Sequence, residues 1–263
     1  MIMSDDEKSS SEPVDPVDPT AKAQELSRPA MPKRFYQAAN AEETPDGFEI
    51  HLDGRPVRSP SGNSLVVPTG ELAAALAAEW EAQDKVINAA TMPLTRLVNS
   101  ALDGVAPRLG EVVDDIVRYS GSDLLCYRAD GPDGLVARQT AVWDPILDWA
   151  SDRLGARFVL AEGIMYVAQP VAVQEALRSR LELLSALPLA ATHAMTSLCG
   201  SALLAFGVLD GHLTDEEAWA AAHVDEDWNI DQWGEDLEAK QTRAGKWQDM
   251  RAAGTLIAAF RNL

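Results

Sequence analysis

Residues 183–209, LLSALPLAATHAMTSLCGSALLAFGVL, carry no formal charge over 27 consecutive positions. A chain that must hide such a run has two options: a membrane span, or a helix enclosed on all sides by other helices. Pro188, His193, Ser197, Gly200 and further Ser and Thr residues interrupt it, and no 18-residue window is free of them. The stretch therefore predicts a buried helix within a helical domain, without membrane insertion. His193 then reads as a satisfied core histidine, because no nucleophile or orienting acid can be identified for it.

Amphipathic patterns surround this run. Leu94, Leu97, Val98, Ala101, Leu102 and Val105 follow i, i+3, i+4, i+7, i+8, i+11 spacing after the break at Met92-Pro93, and Leu109, Val112, Val113, Ile116 and Val117 repeat it. Trp143, Ile146, Leu147, Ala150 and Leu154 form another apolar face, with Asp144-Pro145 marking a helix start or a kink. Beyond Pro170, Val173, Leu177, Leu181 and Leu184 give one more helix. Thr214 and Glu217 have capping-box spacing and launch a helix through Trp219. Two extended segments interrupt the helices: residues 123–129, DLLCYRA, read as a buried strand, and residues 157–168 as a hairpin turning at Glu162-Gly163.

The first ninety residues have a different texture. Residues 1–30 combine Ser, Pro and acids with almost no large apolar side chains, which predicts a disordered acidic tail. They show neither a signal peptide nor a transit pattern, so the expected location is the bacterial cytoplasm. Phe48, Ile50 and Leu52 alternate as in a half-buried strand, Asp53-Gly54 supplies a turn, Pro56 and Val57 begin the return, and Gly62-Asn63 turns the chain toward Leu65, Val66 and Val67. Thr69 can cap the following helix, where Leu72, Leu76 and Trp80 recur at spacing four; Trp80 is read as structural. The expected fold is α+β, with a tail at 1–30, a small antiparallel-sheet and helix domain at 31–91 and a mainly α-helical domain at 92–263.

A formal charge of −19 disfavours nucleic acid and anionic membrane surfaces as partners and favours a protein client with basic patches. Cys126 and Cys199 lack metal-site or CxxC spacing and read as small buried hydrophobes. No GxGxxG, Walker or GxSxG motif occurs, so nucleotide and serine-hydrolase chemistry have no sequence support. No catalytic residue, metal ligand or cofactor is assigned.

Residues 224–240, VDEDWNIDQWGEDLEAK, hold two tryptophans and seven carboxylates with no positive charge before Lys240. At helical spacing Glu226, Ile230, Trp233 and Leu237 share one stripe of a single helix, which can be carried on toward Leu256, Ile257 and Phe260, with Gly234 and Gly245 as weak points. A carboxylate opening an apolar seam needs a cation, hydrogen-bond donors or a partner protein. The remaining acids read as a solvated face. Glu226, Trp228, Trp233, Asp236 and Glu238 are the expected partner-binding residues. A metal- or carboxylate-dependent hydrolase using His223, Asp225 and Asp227, and a purely structural scaffold, are the alternatives.

Seven collinear segments, at residues 33–37, 52–62, 72–83, 92–103, 118–129, 139–150 and 225–239, resemble in order and spacing the assembly chaperones of the F-type ATP synthase that bind its alpha subunit. The likeness is closest to bacterial members. It implies a non-enzymatic chaperone that holds the free alpha subunit and keeps it from aggregating until the beta subunit takes its place. It also matches the family's sensitive C-terminal acid to Glu226, with Glu238 as second choice, and the tryptophan of its EW pair to Trp80.

Overall fold

The computed structural model describes residues 31–163 and 165–261, so the tail expected at 1–30 lies outside the described residues. Strands β1 (Ala39–Thr44) and β2 (Gly47–Leu52) form an antiparallel hairpin, Ala39 opposite Leu52 and Thr44 opposite Gly47. Ile50 and Leu52 are buried, as their alternation requires. Asp53 and Gly54 both take positive φ, +48° and +77°, and return the chain as β3 (Arg55–Pro56) beside β2. Strand β4 (Val66–Val67) pairs with the other end of β2. The Asp53 carboxylate accepts hydrogen bonds from the Ala38 and Gln37 amides at 3.0 Å, which hold its carboxyl below the usual range and fasten the incoming chain to the turn.

Helix α1 (Gly70–Glu81) crosses this sheet. The Thr69 hydroxyl accepts from the Leu72 amide at 3.3 Å, and Leu72, Ala73, Leu76 and Ala77 are buried. Helix α2 (Pro93–Ser100) does not continue to Val105 as its periodicity predicts: residues Ala101–Val105 widen into a π turn and Ala106–Arg108 tighten into a 3₁₀ turn before α3 (Leu109–Ser120). Pro107 cannot supply the amide a continuous helix needs, and Asp103 is drawn aside to accept from Ser59, Ser61 and Asn63.

Residues 123–129 are not the expected strand. Asp123 caps a 3₁₀ turn, Leu124–Cys126, by accepting from the Leu125 amide, and this leaves only β5 (Tyr127–Arg128) extended. Nor do residues 157–168 make a hairpin among the described residues; β6 (Ala161–Glu162) pairs parallel with β5 instead. Gln169 replaces the missing partner strand, its side-chain amide bonding both the N–H and the C=O of Val159 at 2.9 and 2.7 Å. Helix α4 (Asp133–Leu154) continues through Asp144-Pro145, so Pro145 neither starts nor ends it. Trp143, Ile146, Leu147 and Ala150 bury around that position and offset the missing bond, whose loss costs about 3 kcal/mol.

After α5 (Val171–Leu181), whose Val173, Leu177 and Leu181 are buried as expected, the uncharged run forms two helices rather than one. Helix α6 (Ala186–Cys199) stops at Gly200, which adopts the left-handed conformation at φ +65°, and α7 (Ala202–Asp210) restarts with Ser201 accepting from the Leu204 amide. Every residue from Ala202 to Val208 is buried, and no helix among the described residues is long and apolar enough to cross a membrane. The start of α7 is closed from outside by Asp123, which accepts from the Ser201 hydroxyl at 2.7 Å and the Leu203 amide at 3.0 Å. Burial nevertheless pushes the Asp123 carboxyl up to about 6. Both cysteine thiols are buried close by and pushed up to about 12, again by burial first, which leaves them as unreactive packing groups.

His193 departs from its expected role as a core residue. It is partly exposed on α6, with Nε2 2.7 Å from the Asp115 carboxylate of α3. The orienting acid exists, 78 residues away in sequence.

The chain closes with α8 (Asp215–Ala222), α9 (Val224–Trp233) and α10 (Leu237–Ala258). Thr214 and Glu217 form the capping box with bonds of 2.8 and 3.1 Å. One buried cluster joins the sheet side (Ile50, Leu72) to the helices through Trp143, Met195, Leu204 and Leu256, and a second gathers Ile116, Leu177, Leu189 and Phe206.

Candidate functional site

The acidic stretch is two helices, which changes the geometry expected of it. Helix α9 ends at Trp233 because Gly234 turns away at φ +87°, ψ 170°, and α10 begins after Asp236, whose carboxylate accepts from the Ala239 amide at 2.9 Å. Leu237 therefore does not continue the stripe of Glu226, Ile230 and Trp233. Nor is that stripe an apolar seam: Trp233 is 87% exposed and Leu237 76%. Gly245, the other weak point, lies inside α10 without breaking it.

Three of the expected binding residues come together across the break. Glu226, Asp236 and Glu238 line one cleft of about 350 Å³ with His223, Arg243 and Lys246. The His223 Nδ1–H donates to the Trp219 carbonyl at 2.7 Å, which turns Nε2 toward the Glu226 carboxylate at 3.7 Å. Burial holds His223 below its ordinary value, so at neutral pH it presents an uncharged nitrogen to Glu226. Glu226 is accordingly neither buried nor neutralised by an arginine or lysine of its own chain among the described residues.

The neighbouring acids are matched, three of them by residues outside the acidic stretch and Glu235 by the nearby Lys240. Asp227 receives Arg243 at 2.5 Å, Asp231 receives Arg138 at 2.7 Å, Asp225 accepts from the Gln139 amide at 2.7 Å, and Glu235 pairs with Lys240 at 2.8 Å. Asp231, Glu235, Asp236 and Glu238 are exposed, as a solvated face requires, while the half-buried Asp225 and Asp227 brace α9 against α4 and α10. Trp228 belongs to this brace: its ring lies on Gly134 at the start of α4, where a Cβ would come within 2.5 Å of Cη2. The sequence reading missed Arg138, Gln139 and Arg243. Gln139 alone had a signal, since it is buried on an otherwise apolar helix face.

Trp233 and Leu237 share none of these contacts and stand out on either side of the Gly234 break, with Glu235, Asp236 and Glu238 around them. Trp80 is elsewhere. It packs half-buried on α1, its ring edge-on to Tyr36 at 5.8 Å, while the Tyr36 hydroxyl donates to the Trp80 carbonyl at 2.6 Å. Among the described residues no group of three or more His, Cys, Asp or Glu side chains is placed to hold a metal ion. His223, Asp225 and Asp227 do not converge: the first two face Trp219 and Gln139, the third Arg243. What the arrangement offers is a projecting aromatic and aliphatic pair beside a cluster of carboxylates.

Comparison with known proteins places this architecture. The sequence model of the ATP12 family, described as ATP12 chaperone protein, matches residues 33–151. The crystal structure of Atp12 from Paracoccus denitrificans is 36% identical to the chain, covers 88% of it and 99% of its own length, and superposes with a TM-score of 0.80. The chain belongs to the ATP12 chaperone family. The Atu1473 protein from Agrobacterium tumefaciens agrees, at 48% identity, 94% and 93% coverage and a TM-score of 0.83. The mitochondrial protein atp12 of Schizosaccharomyces pombe is 27% identical over 221 residues, 80% of this chain and 76% of its own. Family membership makes the protein a chaperone rather than an enzyme. The ATP12 sequence model stops at residue 151, short of the acidic cleft, whereas the solved relatives span most of the chain.

Proposed function

We propose that this ATP12-family protein is a chaperone for assembly of the F-type ATP synthase catalytic head, and that it binds the free alpha subunit, preventing its aggregation until the beta subunit displaces it. The observation that carries this reading is the exposure of Trp233 and Leu237 on a corner whose neighbouring acids are largely braced. A large indole held in water by a rigid, well-paired scaffold is the kind of anchor on which protein interfaces depend, and truncating one costs about 2 kcal/mol or more.

In this reading Trp233 enters an apolar pocket of the client, while Glu226, Asp236 and Glu238 meet basic side chains around it. Trp228 holds the angle of α9 from below. Trp80 contributes to folding of the N-terminal unit, residues 31–91, and the helical unit, residues 92–263, carries the client face. The expected compartment is the bacterial cytoplasm. The test is co-purification of the tagged chain with the alpha subunit. Alpha alone is retained and excess beta subunit removes it; failure to retain alpha, or retention unaffected by beta, contradicts the proposal.

A further inference from the structure

Inside the cleft between α9 and α10, two hydrogen-bond acceptors face each other. The His223 Nδ1 lies 2.7 Å from the Trp219 carbonyl, and because a carbonyl can only accept, Nδ1 carries the ring proton. Burial keeps the imidazole uncharged, so Nε2 is a lone pair, and it looks at the Glu226 carboxylate across 3.7 Å. The His223 side chain is only 11% exposed and that of Glu226 43%, so neither is fully compensated by water. Neither group accepts a hydrogen bond from another described residue. Two acceptors partly withdrawn from solvent repel until a donor comes between them.

The nearby cations of the chain do not supply that donor. Arg243 is bound to Asp227 and cannot turn to Glu226 without leaving a half-buried carboxylate alone. Lys246, exposed on the same lining, makes no ion pair with Glu226 among the described residues. The geometry asks for an ammonium. A charged N–H donor sits about 2.8 Å from its acceptor, so one ammonium nitrogen can serve acceptors 3.7 Å apart on two residues, its three N–H groups turning toward both. A guanidinium fork is built instead for the two oxygens of one carboxylate. Asp236 and Glu238 add negative charge to the lining and flank the exposed Leu237, so a protein seated on the Trp233–Leu237 corner lies against the cleft.

We propose that this cleft takes one lysine of the client, its ammonium donating both to His223 Nε2 and to the Glu226 carboxylate. This assignment rests on the proposed client, the free alpha subunit, and adds to it the identity of the basic group and a second residue that holds it, His223.

The experiment treats the full-length chain, bound to the free alpha subunit, with a carbodiimide, which joins a carboxylate to an amine in contact with it, and maps the products by mass spectrometry. A cross-link from Glu226 to a lysine of the alpha subunit is expected, and Glu226→Gln abolishes it. Affinity falls about tenfold in Glu226→Gln and about fivefold in His223→Phe, which keeps a ring against Trp219, now 4.0 Å away. The double variant is weaker than Glu226→Gln by no more than about twofold, because both side chains hold one ammonium. Should His223→Phe melt below the parent, the cross-link and Glu226→Gln decide. Coupling of Glu226 only to Lys246 of its own chain, no coupling at all, parental affinity in a folded His223→Phe, or losses that add would each overturn the proposal. A chain that does not retain the alpha subunit takes the client reading down as well, whereas retention without the Glu226 cross-link removes the lysine contact alone.

Discussion

Arg243 reaches back from the last helix to place its guanidinium 2.5 Å from the Asp227 carboxylate, one residue beyond Glu226. That pair, with side chains only 21% and 32% exposed, fixes the width of the cleft between α9 and α10. Arg243→Ala leaves Asp227 half-buried without a cation. It lowers stability by about 1–2 kcal/mol in urea denaturation, and Arg243→Lys recovers part of the loss. An unchanged midpoint in the alanine variant shows that the pair does not hold the helices together.

Gly134 gives Trp228 its seat. In Gly134→Ala the added methyl meets the ring at 2.5 Å from Cη2, so the indole must leave α4 and α9 must tilt with it. A red shift in tryptophan emission and an affinity for the alpha subunit weakened severalfold are expected, with a melting temperature that changes little because alanine favours the helix. Emission and affinity identical to the parent would show that Trp228 does not position the client face.

Asp123 gives the molecule a pH dependence of unusual sign. Its carboxyl titrates near 6 when folded against an ordinary 3.8, so the folded state favours the protonated form. The stability this contributes is complete below about pH 3.8 and is lost as pH rises through about 6, roughly 3 kcal/mol in all. Asp53, Asp103 and Asp115 are held low by hydrogen bonds, and their contributions disappear only below that window. Burial also holds His223 low, which adds an opposite slope below about pH 6.5, so the test is the difference: between pH 4 and 7 urea denaturation shows stability falling by about 3 kcal/mol more in the parent than in Asp123→Asn. Equal slopes in the two proteins contradict the assignment.

Trp80 is expected to matter for folding. Trp80→Arg removes the edge contact with Tyr36 and puts a charge against the core behind α1. A loss of about 2–3 kcal/mol, and several degrees in thermal melting, follows. A variant that melts with the parent shows that the indole is dispensable to the N-terminal unit.

Features set by neighbours in sequence were legible before the structure. The Asp53-Gly54 turn, the Thr69 cap, the Thr214–Glu217 box and the buried face of Val173, Leu177 and Leu181 each depend on residues within a few positions of one another. What escaped depends on distant partners. Asp123 is satisfied by Ser201 and Leu203, β5 pairs with β6, and His193 meets Asp115; no local period encodes these contacts. The acidic stretch was misread for the same reason. Its missing positive charges are supplied by Arg138 and Arg243, and Gly234, flagged only as a weak point, turns the expected seam into a corner. Glu226, Asp236 and Glu238 do line one cleft, but which acids brace the helices and which face outward depends on the distant arginines and could not be read locally.

In the function proposed for this chain, the corner bearing Trp233 and Leu237 holds the client. Both side chains are exposed, so Trp233→Ala/Leu237→Ser leaves the fold untouched and isolates binding from stability. Titration against the free alpha subunit is predicted to show affinity lower by at least a hundredfold, with the melting temperature preserved. Undiminished affinity in that folded double variant would place the client elsewhere on the molecule.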